Sequence, residues 1–463
     1  MIAELADLEP DARRCASLLQ DLLRLRTVNR SPLDPSEKDE SDGEREAAQR
    51  LADFFADHGI ESELLEGFPG RTNIVARLKG SGELPPLLLN AHLDVVEADE
   101  TQWRVPPFEG RVQDGYLWGR GAVDMKNMAA MSAAVLVMLK ERGVPLKRDV
   151  IFAGVADEEA GCVRGSLWLA KEHPDKIRAE YMLGEVGGFS LNLFGKTFYP
   201  IQVAEKGTVW LRATYTGEPG HGSMPKPNSA VLKLAKALTK LGKTRLPMHP
   251  TEAVRGFVDG LAKGLPPIQG KVLGRLTTPQ VAGLILDYLV KDDGQRNAFA
   301  AMLSNTASPT ILHGGNKVNV IPGRASVAID GRTLPGQTEA VFLQELRAVL
   351  GEEAQFEVFH RADPVITPTD TPLFAHLGNV LRRHDPTATP LPYLTVGFTD
   401  AKAYAALGTK SYGFSPVRFD PTADLSFSRM YHGHDERIPL DGLAWGLTVL
   451  YEVVSEFAGG KTL

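Results

Sequence analysis

Residues 86–94 read PLLLNAHLD, and residues 150–161 read VIFAGVADEEAG. Each opens as an almost wholly apolar run and ends abruptly in charge. Such runs mark strands buried in a sheet. Ligands of open α/β sheets bind beyond strand ends, so the place where each run stops is informative. The first stops on His92-Leu93-Asp94 and the second on Asp157-Glu158-Glu159. Residues i and i+2 of an extended segment share a side, so His92 and Asp94 can act together. Three successive carboxylates at the end of a buried strand repel one another unless cations neutralise them. Adjacent glutamates point apart, so one can hold a metal while the other faces a substrate as a base.

The α/β pattern continues outward from these strands. Asn73–Leu78 (NIVARL) is a further strand, and Lys126–Arg142 is a helix rich in Ala, Met and Leu. Leu18, Leu19, Leu22, Leu23 and Leu25 recur at near-helical spacing, in an amphipathic helix that ends near Thr27–Asn29. Residues 30–42 read as an exposed polar loop. Gly43–His58 reads as a helix with Ala47, Leu51, Phe54 and Phe55 on one face, capped by Gly59.

The pattern changes after residue 204. Thr208–Thr216 alternates with period two, and Ser229–Leu241 is helical. Pro309–Gly314 and Ala325–Asp330 read as strands, Glu339–Leu350 as a helix and Gln355–His360 as a strand. That order, β-α-β-β-α-β, is the split ferredoxin-like unit. An insertion over 245–308 interrupts it. The α/β pattern returns from 361 and closes with the helix Leu440–Phe457. The expected organisation is one domain made of 1–203 and 361–463, with a smaller domain, 204–360, inserted in it.

The 463 residues hold 51 Lys and Arg against 58 Asp and Glu, a net charge of −7. That balance lacks the basic footprint of a nucleic-acid binder. Two cysteines, Cys15 and Cys162, exclude a disulfide framework and a cysteine-rich zinc site. No apolar run of signal-peptide type follows a basic start, and no stretch of about 18 residues is free of polar breaks. A cytoplasmic protein without a membrane partner is expected. Chemistry then falls to carboxylates and to 11 histidines.

Three further motifs supply them. In Gly119-Arg120-Gly121-Ala122-Val123-Asp124-Met125-Lys126 the glycines permit close backbone approach, and Asp124 precedes a helix as either a cap or a ligand. Glu185 ends the apolar segment Met182-Leu183-Gly184 and is followed by small residues. Tyr431-His432-Gly433-His434-Asp435-Glu436-Arg437 offers two histidines, either of which spacing allows as a ligand. His58, His173, His249, His313, His360, His376 and His384 show no partner carboxylate and are expected to be solvated or structural. Imidazole and carboxylate without thiolate suit zinc, cobalt or manganese, in a catalytic site with an open position.

HLDVV, GRGAVDMK, DEEAG, the glycine-flanked Glu185 and HGHDER stand in the order and approximate spacing of a known family. The chain resembles, over nearly its whole length, the di-zinc amidohydrolases and peptidases that include aminoacylase-1, acetylornithine deacetylase, succinyl-diaminopimelate desuccinylase and glutamate carboxypeptidase. The resemblance implies a zinc-peptidase-like α/β catalytic domain, a mixed sheet flanked by helices, with an inserted ferredoxin-like α+β lid and dimerisation domain. It implies two zinc ions per subunit, with cobalt or manganese as substitutes. His92 and Glu185 would hold one, Glu159 and His432 the other, and Asp124 would bridge them. Asp94 would orient His92, Glu158 would be the general base, and the peptide bond after Asp124 would be cis.

The inserted domain adds Glu218-Pro219-Gly220-His221-Gly222-Ser223, which resembles the family's lid motif. There the histidine reaches the partner subunit's active site and stabilises the oxyanion, so a homodimer through this domain is implied. Asn319, in VNVIP, and Arg332, in DGR, resemble substrate-binding residues. A guanidinium can grip a carboxylate bidentately. Gly397-Phe398-Thr399-Asp400-Ala401 resembles a turn near the site. The implied activity is hydrolysis of an amide or peptide bond in a small carboxylate-bearing substrate: a dipeptide, a peptide C-terminus or an N-acyl amino acid. A non-catalytic binding protein on this scaffold would be expected to have lost ligands or base, and every expected position is filled.

Overall fold

The computed structural model describes residues 4–31, 41–193, 195–291, 293–421 and 430–459. Most of the expected polar loop, 32–40, lies outside the described residues. The chain forms two compact units. One comprises Met1–Val203, Thr367–Tyr393 and Thr399–Leu463; the other comprises Ala204–Ile366 and Leu394–Phe398.

The first unit is built on a mixed sheet. Ser62–Phe68, Arg71–Leu78, Val150–Val155, Leu87–His92, Tyr181–Gly184 and Lys410–Gly413 follow one another across it in that order. The first three are antiparallel neighbours, and the last four run parallel. Strands 87–92 and 150–155 are buried at every position. Alternate residues therefore serve opposite faces. Leu88, Ile151, Ala153, Val155 and Met182 pack with Leu169, Ala401 and Tyr404 on one side. On the other, Phe152 meets Phe55 edge-on at 5.4 Å. The helix Lys126–Glu141 is buried from Lys126 to Leu139, which explains its Ala- and Met-rich composition.

The parallel register sets the site. His92 pairs with Val155, and Leu89 with Leu183. The chain therefore leaves three adjacent strands at one edge, on His92, Asp157 and Glu185. The first long helix, Pro10–Arg24, stops before Thr27. Val28 instead bridges Val95, and Asn29 N–H donates to Val95 O at 2.9 Å. Pairing with the sheet wins over another helical turn for these residues, and it brings Asn29 to the strand ends.

The second unit carries a four-stranded antiparallel sheet in the order Thr306–His313, Arg324–Thr333, Gly207–Thr216, Gln355–Ala362. With the helices Ala230–Leu241 and Glu339–Leu350 this is the β-α-β-β-α-β arrangement. Leu211, Ala213, Tyr215, Val327 and Ile329 form its core with Leu234, Phe342 and Leu346. Among the described residues, four α-helices lie between the first helix and the edge strand, Glu252–Lys263, Pro267–Leu273, Pro279–Tyr288 and Asp293–Leu303, with a short 3-10 helix at Gly274–Thr277. The edge strand starts at Thr306, three residues before the expected Pro309, because the proline sits on an edge where its missing N–H costs nothing.

Three histidines expected to lack carboxylate partners have them. His249 Nε2 lies 2.5 Å from Glu345 Oε1, His384 Nε2 lies 2.5 Å from Glu452 Oε2, and His376 Nε2 lies 3.8 Å from Glu456 Oε2. All three pairs join residues distant in sequence, so local spacing could not reveal them.

Gly413 tests how tightly the sheet end is built. A Cβ there would sit 2.2 Å from Glu185 O and 2.5 Å from Val186 O, both backbone. Gly283, in a helix, has open space around it. Gly413→Ala is expected to cost about 3 kcal/mol through overpacking. Gly283→Ala is expected to add about 0.5–1 kcal/mol, since glycine weakens a helix interior. Denaturant midpoints of the two variants check both signs.

Candidate metal centre

Each arm of the centre has a local reason for its position. His92 and Glu185 are buried at the ends of neighbouring parallel strands. Glu158 and Glu159 lie on the short turn that follows strand 150–155. Asp157 enters that turn at φ 64, Val186 follows Glu185 at φ 61, and His432 itself stands at φ 57. Left-handed backbone is disfavoured for side-chain-bearing residues, most of all for a β-branched valine, and such positions cluster at functional sites.

Asp124 arrives from the loop after strand Tyr116–Trp118. Buried Glu436 fixes that loop. Its carboxylate accepts from Gly121 N–H (2.9 Å), Val123 N–H (2.8 Å), Asp124 N–H (3.1 Å) and Arg120 Nη1 (2.9 Å). The Asp124–Met125 peptide bond is cis.

Asp94 is fully buried. Its carboxylate accepts from the N–H groups of Glu158 (3.1 Å) and Glu159 (3.0 Å) and from Asn29 Nδ2 (2.7 Å). His92 Nδ1 lies 3.0 Å from the Asp94 main-chain oxygen and 3.6 Å from its carboxylate. His92 Nε2 thus faces the centre.

The side chains converge. His92 Nε2 stands 3.1 Å from Asp124 Oδ1 and 3.8 Å from Glu185 Oε2. His432 Nε2 stands 3.1 Å from Asp124 Oδ2 and 3.1 Å from Glu159 Oε2. Ligand atoms of His92, Glu158 and Glu185 lie within 4.8 Å of one another, as do those of His92, Asp124 and Glu159. Glu159 Oε1 and Glu185 Oε1 are buried and accept no hydrogen bond among the described residues. Orphaned buried carboxylate oxygens beside imidazole nitrogens fit a divalent cation. Both histidines of the last motif are exposed, and it is His432 that meets the carboxylates.

Electrostatics agree with that fit. Burial, then the charge of Glu185, pushes Glu158 well above the usual carboxylate range. Burial and Asp124 push Glu159 up to about 7. Burial opposes charge on both histidines, but hydrogen bonds to the carboxylates outweigh it. They lift His92 well above its ordinary value and His432 to about 10. The anions therefore demand positive charge, and without a metal the imidazoles supply it as protons.

The other sequence-predicted residues lie in the second unit. His221 is exposed, and its Nδ1 is 2.8 Å from Ser223 Oγ and accepts from Ser223 N–H at 3.2 Å. Gly222 N–H donates to Asn319 O at 2.9 Å, which brings His221 and exposed Asn319 together. Arg332 lies on the four-stranded sheet, as Thr208's partner. Its Nε and Nη2 fork Asp330 at 2.8 and 3.1 Å, and Phe398 stacks on its guanidinium at 5.3 Å. Its Nη1 is buried with no acceptor among the described residues.

Several residues at the centre escaped the sequence reading. Asn29 and Glu436 are described above. Tyr431 donates its hydroxyl to Glu185 Oε2 at 3.3 Å and stacks on His432. Asp400 accepts from Asn90 Nδ2 (2.9 Å) and Ser166 Oγ (2.5 Å). Glu436, Tyr431, Asp400 and Asn90 lie inside the motifs named above, and a polar residue within an apolar run, as Asn90 is, was a usable signal. Asn29 had none.

A family model described as peptidase family M20/M25/M40 matches residues 88–456. The chain belongs to this family. It is accordingly a hydrolase of M20 type, and the mixed α/β sheet is the fold expected of one. Among its relatives is the N-fatty-acyl-amino acid synthase/hydrolase PM20D1 of Bos taurus, 30% identical over 81% of this chain and 75% of the relative. Aminoacylase-1 of Sus scrofa is 26% identical over 96% of both chains. In fold, the M20 chain is similar to the metallo-carboxypeptidase Sso-CP2 of Sulfolobus solfataricus. That match has a TM-score of 0.69 at 17% identity and covers 97% of this chain and 99% of the other. No helix among the described residues is long and apolar enough to cross a membrane.

The raised pKa values give metal uptake a pH dependence. Below about 7 Glu159 holds a proton, and at neutral pH so does His432. A cation must displace both. Uptake is expected to release protons, and affinity is expected to fall as pH drops through 7. Calorimetric zinc titrations at pH 6 and pH 8, in buffers of different ionisation enthalpy, check both.

Proposed function

We propose that the chain is a di-zinc amidohydrolase that cleaves the amide bond of N-acyl amino acids. The observation that carries this reading is Asp124, with one carboxylate oxygen 3.1 Å from His92 and the other 3.1 Å from His432. A carboxylate so shared suits a bridge between two cations. His92 and Glu185 would hold one, and Glu159 and His432 the other. Mixed imidazole and carboxylate donors favour zinc, with cobalt or manganese able to replace it. When bound, such a pair supplies Lewis acidity and a water acidic enough to ionise near neutrality.

The chain's own residues do the rest. Glu158, buried and with its pKa pushed up, takes the proton of the attacking water and returns it to the leaving nitrogen. Asp94 holds the Glu158 and Glu159 amides, so the base and a metal ligand keep one relative position. Because His221 Nδ1 accepts from Ser223 N–H, the ring proton sits on Nε2. That N–H is the donor an oxyanion needs. The unpaired Arg332 Nη1 and the side chain of Asn319 suit the substrate's carboxylate. In the homodimer reading, the second unit forms the interface. Its edge strand supports this by exposing Ile311 and Leu312. Relatives whose names specify acyl amino acids support this substrate class over a peptide.

Glu158→Gln is expected to keep its metal content and lose about 10²–10⁴-fold in kcat. Metal analysis beside turnover of an N-acyl amino acid measures both, and retained turnover would remove Glu158 from the role. Asp94→Ala is expected to bind zinc about 10–100-fold more weakly, as loss of a ligand's supporting group does. A panel of N-acyl amino acids and dipeptides, assayed with zinc and with cobalt, tests the substrate class. Faster cleavage of dipeptides would overturn it.

A further inference from the structure

We propose that the helical insertion of the second unit docks on a lipid bilayer bearing anionic phospholipids. Helix Pro279–Tyr288 buries Ala282, Ile285 and Leu286 against its own unit, yet its outer side is apolar too. Leu284 is 61% exposed, Tyr288 76% and Leu289, just beyond, 59%. Leu284 and Tyr288 are four residues apart and share a face. Helix Pro267–Leu273 buries only Gly270 and exposes Ile268 (82%) and Val272 (37%). Lys271 lies on the same face as these two. Ile268, Leu284, Tyr288 and Leu289 are thus each more than half open to solvent.

Charge decides the occupant. Residues 245–303 hold seven Lys and Arg against five Asp and Glu, in a chain whose net charge is −7. Arg245 and Arg296 are taken by Asp287 and Asp293. Lys263, Lys271, Arg275 and Lys291 are exposed and have no ion-pair partner among the described residues. A second copy closing over this patch by a two-fold axis would set unpaired cations against their own copies. An anionic bilayer meets both features. Leucine and isoleucine enter the acyl boundary, the cations lie at headgroup level, and tyrosine favours the layer between. The inference rests on exposure and charge, independently of which amide the centre hydrolyses.

Flotation of the purified full chain with vesicles tests it. The vesicles are equal parts phosphatidylglycerol and phosphatidylcholine, or phosphatidylcholine alone. The wild type is expected to float with the anionic vesicles and less at high salt. Lys271→Glu with Arg275→Glu should lower the partition by about fivefold or more for each cation. Leu284→Ser with Leu289→Ser should lower it roughly tenfold or more. Both variants should hydrolyse a soluble N-acetyl amino acid in free solution as the wild type does, which shows intact folding and tests the amidohydrolase reading separately. The proposal is overturned if the wild type ignores anionic vesicles or binds both vesicle types equally. Variants that partition like the wild type would also overturn it. So would a leucine variant that loses a dimer in sedimentation while its vesicle partition is unchanged, since the occupant would then be a second copy.

Discussion

Around His92, ligand atoms of Glu158 and Glu185 and those of Asp124 and Glu159 gather within 4.8 Å, all of them buried but the half-buried Glu159, and the architecture around them answers that crowding. Two like charges about 4 Å apart repel by roughly 4 kcal/mol even at an effective dielectric of 20. Such a cluster survives only if positive charge is placed inside it. The two histidines provide some, and divalent cations would provide more. The acids just outside the cluster each have hydrogen-bond partners of their own. Asp94 spends its charge on backbone amides and Asn29. Glu436 spends its own on Arg120 and a loop, and Asp157 on the Arg164 amide. Asp400 is met by Asn90 and Ser166. These partners leave the inner carboxylates as the ones still requiring a cation.

Parallel strands make the crowding possible. Side by side and in register, they end at one edge, so consecutive chain exits lie about 4.8 Å apart. Three such exits deliver His92, the Glu158–Glu159 turn and Glu185. Asp124 and His432 come from loops, where the backbone must be held by other means. Glu436 does this for the first loop by filling three backbone amides with one buried carboxylate.

What was legible in the sequence follows the same division. Strand ends could be read because an apolar run that stops on a charge is a local signal. The second unit's helices and strands were readable because their hydrophobic periods differ. The supporting groups were not. Asn29 reaches Asp94 only because residues 27–29 leave the helix to pair with Val95, a contact no local pattern encodes. His249–Glu345 and His384–Glu452 likewise join distant segments. The roles proposed for Arg332 and Asn319 rest on likeness to known proteins, since an arginine on a strand or an asparagine in a loop has many uses.

The Glu436 clamp couples two segments far apart in the chain, the loop that carries Asp124 and the segment that carries His432. During synthesis the strand-end residues emerge first, and with them most of the carboxylates. The groups that hold Asp124 in place and complete the ligand set come only with the last helix. Until then the nascent chain carries a crowd of acids without the geometry to grip an ion. The ligand set is therefore complete only once the segment that carries His432 and Glu436 has packed on the Asp124 loop, so a change that loosens this packing would disturb Asp124 and His432 together.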